Sequence, residues 1–120
     1  MEDEVSVAGS VSELQEVKSK IEAMSDGQLI ELNFDTSGNT QGFGKLEPTM
    51  VISVGQGPAF AEYKEGLGII FTGNLESLKV FASFFDFEEG SELGCHYHWD
   101  EACGSNYVAS GTLPIVVAVV

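Results

Sequence analysis

Two hydrophobic periodicities alternate along the chain and predict its secondary structure. Apolar residues recur every three or four positions in residues 11–24 and 75–85, the spacing that places them on one stripe of a helix. Strict alternation of apolar and polar residues at 29–35 and 93–100 predicts half-buried strands. Shorter apolar runs predict further strands at 5–8, 49–54, 59–64, 67–72 and 115–120. The predicted order of elements is therefore β-α-β-β-β-β-α-β-β.

Capping signals precede both predicted helices. Ser10 and Asn74 can accept hydrogen bonds from the free amides of a first helical turn, and Ser10 with Glu13 has the spacing of a capping box. Gly27 and Gly90 are predicted to end the helices, because glycine tolerates the left-handed conformation found there.

The two alternating strands predict which face of the sheet the helices cover. Their apolar face carries Ile30, Leu32, Phe34, Cys95, Tyr97 and Trp99. Their polar face carries Glu31, Asn33, Asp35, His96, His98 and Asp100. Because only the two helices are long enough to serve as crossovers, we expect an α+β two-layer sandwich, with a mainly antiparallel sheet and both helices on one face. The apolar strand at 115–120 is expected to be internal or to pair at a dimer seam, since an open apolar edge promotes aggregation.

The two halves of the chain repeat one order of elements. An offset of 64 residues aligns Gly9 with Gly73, and an offset of 66 aligns Pro48 with Pro114. Residues 1–54 and 66–120 are therefore predicted to be pseudo-repeated βαββ units. A hairpin with its turn at Glu65-Gly66 is expected between them. The length of 120 residues suits a single domain, 1–120, with a hydrophobic core of its own.

The charge of the chain narrows the classes of partner. There are 19 acidic residues against 5 lysines and no arginine, which gives a net charge of −14. Nucleic acids and anionic membrane surfaces would be repelled. The acidity is accounted for either by solubility or by a surface that attracts a basic protein partner. No stretch reaches the roughly 18 consecutive apolar residues of a membrane span, and the acidic first residues do not resemble a secretory signal; we therefore expect a cytoplasmic protein. The two cysteines, Cys95 and Cys103, lack Cys-x-x-Cys spacing and are expected to be reduced thiols.

One strand has the residue types of a metal site. In an extended chain His96, His98 and Asp100 lie on one face and could provide two imidazoles and one carboxylate to zinc or iron. The row Glu31, Asn33 and Asp35 could add a ligand if the repeat brings the two strands onto the same sheet face. Alternating polar residues are equally typical of a solvent-facing strand, and the chain has no third histidine.

A nucleophile with an adjacent base is the other chemical candidate. Cys103 with His96 or His98 would form such a pair. Neighbouring carboxylates disfavour the thiolate, so no catalytic residue and no enzymatic activity are predicted. Cys95 is expected to be a small core residue, and Tyr97 and Trp99 core aromatics under the second helix.

Residues 66–120 resemble a known family. The stretch Gly-Ile-Ile-Phe-Thr-Gly-Asn-Leu-Glu-Ser-Leu-Lys-Val-Phe-Ala at 68–82, the segment His-Tyr-His-Trp-Asp at 96–100 and the apolar closing strand are similar to the immunity protein 32 family of bacterial polymorphic toxin systems. The first half departs from that pattern, because its corresponding strand has no histidine. The resemblance implies a cytoplasmic protein that binds and neutralises a cognate toxin with a basic surface.

This implied function selects a set of candidate contact residues. They are the acidic and histidine side chains Glu31, Asp35, Glu88, Glu89, Glu92, His96, His98, Asp100 and Glu101. Two other functions stay open: a metal-binding protein that uses His96, His98 and Asp100, and a structural or homodimerisation module with no cofactor. Metal content would separate the metal-binding protein from the other two, and co-purification of a basic partner would separate the immunity-type protein from the dimerisation module.

Overall fold

The predicted helices and strands are present, and the structure contains one additional short strand. The computed structural model describes residues 5–34, 45–46, 49–92, 94–101 and 106–119. In chain order the elements are β1 (Val5–Gly9), α1 (Val11–Glu22), β2 (Leu29–Asn33), β3 (Lys45–Leu46), β4 (Thr49–Val54), β5 (Phe60–Lys64), β6 (Gly68–Gly73), α2 (Leu75–Ala82), a 3-10 turn (Ser83–Phe85), β7 (His96–Trp99) and β8 (Ile115–Val119). The α+β class is therefore confirmed.

The strands of the described residues form two sheets of four, whereas the sequence pattern predicts a single sheet. One sheet has the order β3-β1-β8-β7 and the other the order β2-β4-β6-β5. The pairs β7–β8, β2–β4 and β5–β6 are antiparallel, and β1–β3, β1–β8 and β4–β6 are parallel. The β5–β6 pair is the predicted hairpin, with Gly66 in a left-handed conformation at φ 86°.

Each sheet combines strands from both halves of the chain. β1, which precedes α1, pairs with β8, which follows α2. In the same way β6, which precedes α2, pairs with β4, which follows α1. The two predicted βαββ units are thus not separate sheets, because β1 of the first unit joins β7 and β8 of the second, and β6 of the second unit joins β2 and β4 of the first. The pseudo-repeat itself stays a prediction.

The closing strand is internal, as predicted. β8 lies between β1 and β7, and every residue of β1 and β8 is buried. A strand buried on both faces has an almost continuous apolar sequence, which explains the run Ile-Val-Val-Ala-Val. In the described ranges, no helix combines the length and apolar character needed to cross a membrane.

Both helices begin where the capping residues predict. The Ser10 hydroxyl accepts from the amide of Glu13 at 3.2 Å, and the Glu13 carboxylate accepts from the Ser10 amide at 2.8 Å, which completes the capping box. Asn74 Oδ1 accepts from the amide of Ser77 at 2.8 Å. α1 ends at Glu22, shortly before the left-handed Gly27.

The second helix ends earlier than predicted. Gly90 was expected to end it, but α2 stops at Ala82 and tightens into the 3-10 turn. The reason is the burial of both Phe85 and Phe87, which are 0% and 4% exposed. Residues two positions apart do not share a helix face, so the chain must leave the helix to bury both rings.

Aromatic rings at the centre of the molecule join the two sheets. Phe71 of β6 stacks on Phe81 of α2 with ring centroids 4.1 Å apart. Trp99 of β7 lies 4.9 Å from Phe71 and 5.4 Å from Phe81. All three residues are fully buried, so this cluster fixes β7, and the surface that β7 carries, against the helix and the other sheet.

Candidate functional site

The strand with the candidate ligands lies at a sheet edge. Among the described residues, β7 pairs with β8 alone, with His96 opposite Ala118 and His98 opposite Val116. The two histidines share the face of the strand opposite to Trp99. The alternation predicted from the sequence is therefore correct for the histidines, and it places them beside each other next to buried β8.

The two imidazoles are neighbours. Their ring centroids are 4.9 Å apart, at an interplanar angle of 75°. His96 Nδ1 lies 3.0 Å from the carbonyl oxygen of Gly94. Because a carbonyl oxygen can only accept, Nδ1 is the donor in this contact, and Nε2 is the acceptor atom of the neutral ring. This arrangement resembles the support that metal-binding histidines receive from backbone carbonyls.

The rest of the predicted metal site does not assemble. In the described part of the chain, no three His, Cys, Asp or Glu side chains are grouped so that they could hold a metal ion. The condition under which Glu31 and Asn33 could add a ligand is not met, because β2 lies at the edge of the other sheet. Asp35 and Cys103 lie outside the described residues.

Two predicted core residues of this strand region are exposed. Tyr97 is 46% exposed and Cys95 is exposed, although Trp99 is fully buried as expected. Tyr97 does face the side of the sheet that Trp99 faces, but it lies further along an edge strand, where Phe84 and Phe87 cover its ring only in part. Cys95 precedes β7, which begins only at His96 and not at residue 93 as predicted.

The segment that covers Tyr97 is an acidic turn, residues 86–92. Phe87 is the buried residue of this turn, and its ring stacks on Tyr97 with centroids 4.8 Å apart and an interplanar angle of 29°. Glu88, Glu89 and Glu92 are all exposed. The buried ring of Phe87 thus anchors a turn that exposes three of the candidate contact residues.

Hydrogen bonds attach the acidic turn to both of its neighbours. Gln15 of α1 donates from Nε2 to Asp86 Oδ1 at 2.8 Å and to the carbonyl oxygen of Phe87 at 2.6 Å. On the other side, the Cys95 amide donates to the Glu92 carbonyl oxygen at 3.1 Å. The turn is therefore held in place at both ends.

A shallow groove of about 510 Å³ lies between the acidic turn and β7. Its lining includes the aromatic side chains Phe87 and Tyr97, the carboxylate residue Glu92 and the imidazole residue His96. We call it the aromatic-acidic groove. The sequence pattern selected Glu92 and His96 and assigned Tyr97 to the core. The surplus of aromatic residues at 81–87 indicated either core packing or one exposed aromatic contact, Phe84 or Phe87, but it did not indicate Tyr97.

Two other candidate contact residues, Glu31 and Glu101, do not line this groove. Glu31 is exposed on the outer face of the second sheet, where the strand registers align it with Val51, Ile70 and Glu62. Glu101 is exposed and accepts a hydrogen bond from Ser110 Oγ at 3.4 Å. The structure therefore brings Glu88, Glu89, Glu92 and His96 together, and it separates them from Glu31.

A second concavity involves Glu31. It has a volume of about 240 Å³ and lies between α1 and β2, where Glu13, Glu16 and Lys20 also line it. Lys20 pairs with Glu16 at 3.4 Å, so the cation in this concavity already has a carboxylate partner.

Comparison with known proteins identifies no relative of this chain. No family model, no curated protein and no solved structure matches the chain. The resemblance of residues 66–120 to the immunity protein 32 family therefore stays a prediction, and the argument for function depends on the surface itself.

Proposed function

We propose that this protein is a non-catalytic binding protein of the immunity type, which places its acidic surface against a basic cleft of a toxin or another basic protein. The observation that carries this proposal is that the carboxylates of the protein are exposed. Every acidic residue in the described ranges is exposed except Asp100, which is half-buried.

Internal ion pairs neutralise few of these carboxylates. The two pairs found among the described residues, Lys18–Glu22 at 3.0 Å and Lys20–Glu16 at 3.4 Å, both lie within α1. Glu88, Glu89 and Glu92 belong to no ion pair within the described residues. A fixed group of unneutralised carboxylates attracts a basic surface and increases the association rate at low ionic strength.

The buried polar residues support a binding role over a catalytic one. Those of the described part are Ser6, Ser77 and Thr112, none of which is charged. Active sites commonly place charged or titratable groups in buried, water-excluding surroundings. The charged side chains whose burial is described are exposed instead, apart from the half-buried Lys18 and Asp100, and can contact a macromolecule. The proposal includes a cytoplasmic location, where a toxin would meet its immunity protein.

Partner capture followed by reconstitution tests the proposal. Tagged protein is used to capture partners from native extract at low salt, and a captured protein is then purified and titrated with this chain at increasing salt. We expect a basic partner whose Kd rises steeply between low and physiological ionic strength. An acidic partner, or a Kd that does not change with salt, would contradict the proposal.

A pair of charge variants then locates the contact. Replacing Glu88, Glu89 and Glu92 by Gln removes three charges from the acidic turn. The matched control replaces Glu62, Glu65 and Glu76, which are also exposed, by Gln. Both variants lower the net negative charge equally, so a larger loss of affinity in the first variant assigns the contact to the acidic turn. An equal loss would show that only the overall charge matters.

Metal binding is the second candidate function, and one observation favours it. The adjacent imidazoles of His96 and His98, with His96 Nδ1 directed at the Gly94 carbonyl oxygen, could provide two nitrogen ligands. We place it second because the described residues supply no third donor within the same group.

A further inference from the structure

The aromatic-acidic groove combines two features that a cationic side chain recognises. Its lining includes the stacked rings of Phe87 and Tyr97 and the carboxylate residue Glu92. We infer that this groove receives an arginine side chain of the basic partner. This inference rests on the proposed function and specifies what the partner inserts.

The exposed part of Tyr97 is the surface on which a guanidinium would stack. The ring packs on Phe87 at 4.8 Å and meets Phe84 edge-on at 6.3 Å, yet the residue is 46% exposed, so part of its surface stays accessible to a ligand. A cation above an aromatic ring is attracted by its negative face, and the planar guanidinium of arginine also stacks on the ring.

The carboxylates select arginine further. A guanidinium presents several N–H donors in one plane and can bind a carboxylate in a bidentate manner, whereas the ammonium of lysine is a point charge. Glu92 lines the groove, and Glu88 and Glu89 lie in the same turn. An arginine stacked on Tyr97 can therefore also donate charge-assisted hydrogen bonds to the Glu92 carboxylate.

Other occupants are excluded by charge and composition. A second copy of this chain carries the same net charge of −14 and contains no arginine, so it cannot supply the guanidinium and would be repelled. A nucleic acid would be repelled as well, because its phosphates are negative. The groove is thus complementary to a basic protein segment.

The groove is ordered before a partner arrives. Gln15 holds the backbone of Phe87 at 2.6 Å, and the Cys95 amide holds the Glu92 carbonyl oxygen at 3.1 Å. A surface that is already fixed loses little conformational entropy on binding. Tyrosine and arginine are also the residue types most often found among the strongest contacts of protein interfaces.

Capped tripeptides provide a direct test with defined probes. Acetyl-Gly-Arg-Gly-amide, its lysine analogue and its norleucine analogue are titrated separately into 15N-labelled protein. We expect the arginine peptide to shift the amide resonances of residues 94–97, with weaker binding of the lysine peptide and none of the norleucine peptide. Equal shifts for arginine and norleucine, or arginine-induced shifts away from the groove, would overturn the inference.

Surface variants test the aromatic and the carboxylate components of the groove separately. Tyr97→Ala is expected to weaken binding of the arginine peptide about fivefold, the scale of a partly desolvated cation–π contact. Glu92→Gln is expected to weaken it by about the same factor, the upper end for an exposed ion pair. The matched control is Tyr63→Ala, since Tyr63 is 43% exposed on the other sheet and has Glu62 and Glu65 nearby in the chain. An equal loss in the control would overturn the inference. Amide spectra of each variant verify that the fold is kept, and Glu92→Gln gives the test a variant with no loss of volume.

The outcomes separate this inference from the proposed function. If the purified basic partner binds with the expected salt dependence but the arginine peptide does not bind the groove, the inference is wrong and the proposed function stands. If the arginine peptide binds the groove but only acidic or salt-insensitive partners are recovered, the proposed function fails and only the recognition of arginine stands.

Discussion

The ring of Phe87 stacks on the ring of Tyr97 with centroids 4.8 Å apart, and this contact connects the acidic turn to strand β7. Phe87 is 4% exposed, whereas Tyr97 is 46% exposed, so the first anchors the turn and the second faces solvent. Phe87 therefore holds the proposed binding surface in place, although a partner would contact little of its side chain.

Replacing Phe87 by Ala is expected to lower the free energy of unfolding by about 3 kcal/mol, because the ring is almost fully buried and its loss leaves a cavity. Amide hydrogen exchange of residues 88–92 should also accelerate, since the turn loses its anchor. Urea unfolding and exchange measured by NMR check the two effects. Phe60→Ala serves as the control, because Phe60 is 36% exposed and its loss should cost far less. Equal destabilisation by both variants would contradict the anchoring role.

Local sequence signals predicted the starts of both helices correctly. Ser10, Glu13 and Asn74 form the capping contacts that their spacing indicates, because a cap depends only on residues within one turn. The internal position of β8 also followed from its sequence, since a continuous apolar run must be buried on both faces.

The exchange of strands between the halves could not be predicted. Alternation in β4 indicates that Met50 and Ile52 face the core, and this holds whichever strand lies beside them. The structure pairs Met50 with Ile69 and Val5 with Ile115, both across large sequence separations. No local signal distinguishes these pairings from pairings within each half.

The exposure of Tyr97 was missed for a related reason. Alternation assigned Tyr97 to the same face as Trp99, but burial depends on what covers each end of that face. The helix was expected to continue to Gly90 and cover both residues. The chain leaves the helix so that Phe85 and Phe87 can both be buried, and the groove forms beside Tyr97. The candidate site thus arises from the end of a helix, which sequence patterns locate poorly.

Gly73 is expected to tolerate no side chain, because two backbones meet there. A Cβ atom built on Gly73 would lie 2.8 Å from Ala59 Cα, which is too close for any relaxation that leaves both strands in place. We expect Gly73→Ala to cost about 3 kcal/mol, as overpacking of a core commonly does. Gly66→Ala is the comparison, since its Cβ would meet nothing within 4 Å and only the left-handed φ of 86° is unfavourable. That variant should lose about 1 kcal/mol. A larger loss for Gly66 in thermal or urea unfolding would contradict the close approach at Gly73.

Trp99 offers a test of an unsatisfied polar atom in the core. Its Nε1 atom is buried and has no hydrogen-bond partner among the described residues, while its ring packs on Phe71 and Phe81. Trp99→Phe keeps an aromatic ring and removes the indole N–H, whose desolvation is unfavourable. We therefore expect a loss below about 1.5 kcal/mol, against about 4 kcal/mol for Trp99→Ala. Similar losses in urea unfolding for both variants would show that the N–H group has a partner or that the smaller ring packs badly.

Metal analysis decides whether the two imidazoles do more than line the groove. His96 and His98 have ring centroids 4.9 Å apart, but no third His, Cys, Asp or Glu donor joins them within the described residues. Zinc sites with high affinity use three or four protein ligands, so we expect tag-free protein to retain well below one zinc per chain after dialysis against a chelator. Zinc added afterwards should bind weakly by calorimetry, and His98→Ala should abolish that binding, whereas Cys95→Ala, a change at a neighbouring exposed residue, should not. Stoichiometric zinc that survives the chelator and disappears in His98→Ala would instead favour the metal-binding function, and it would require that the missing donors come from outside the described residues.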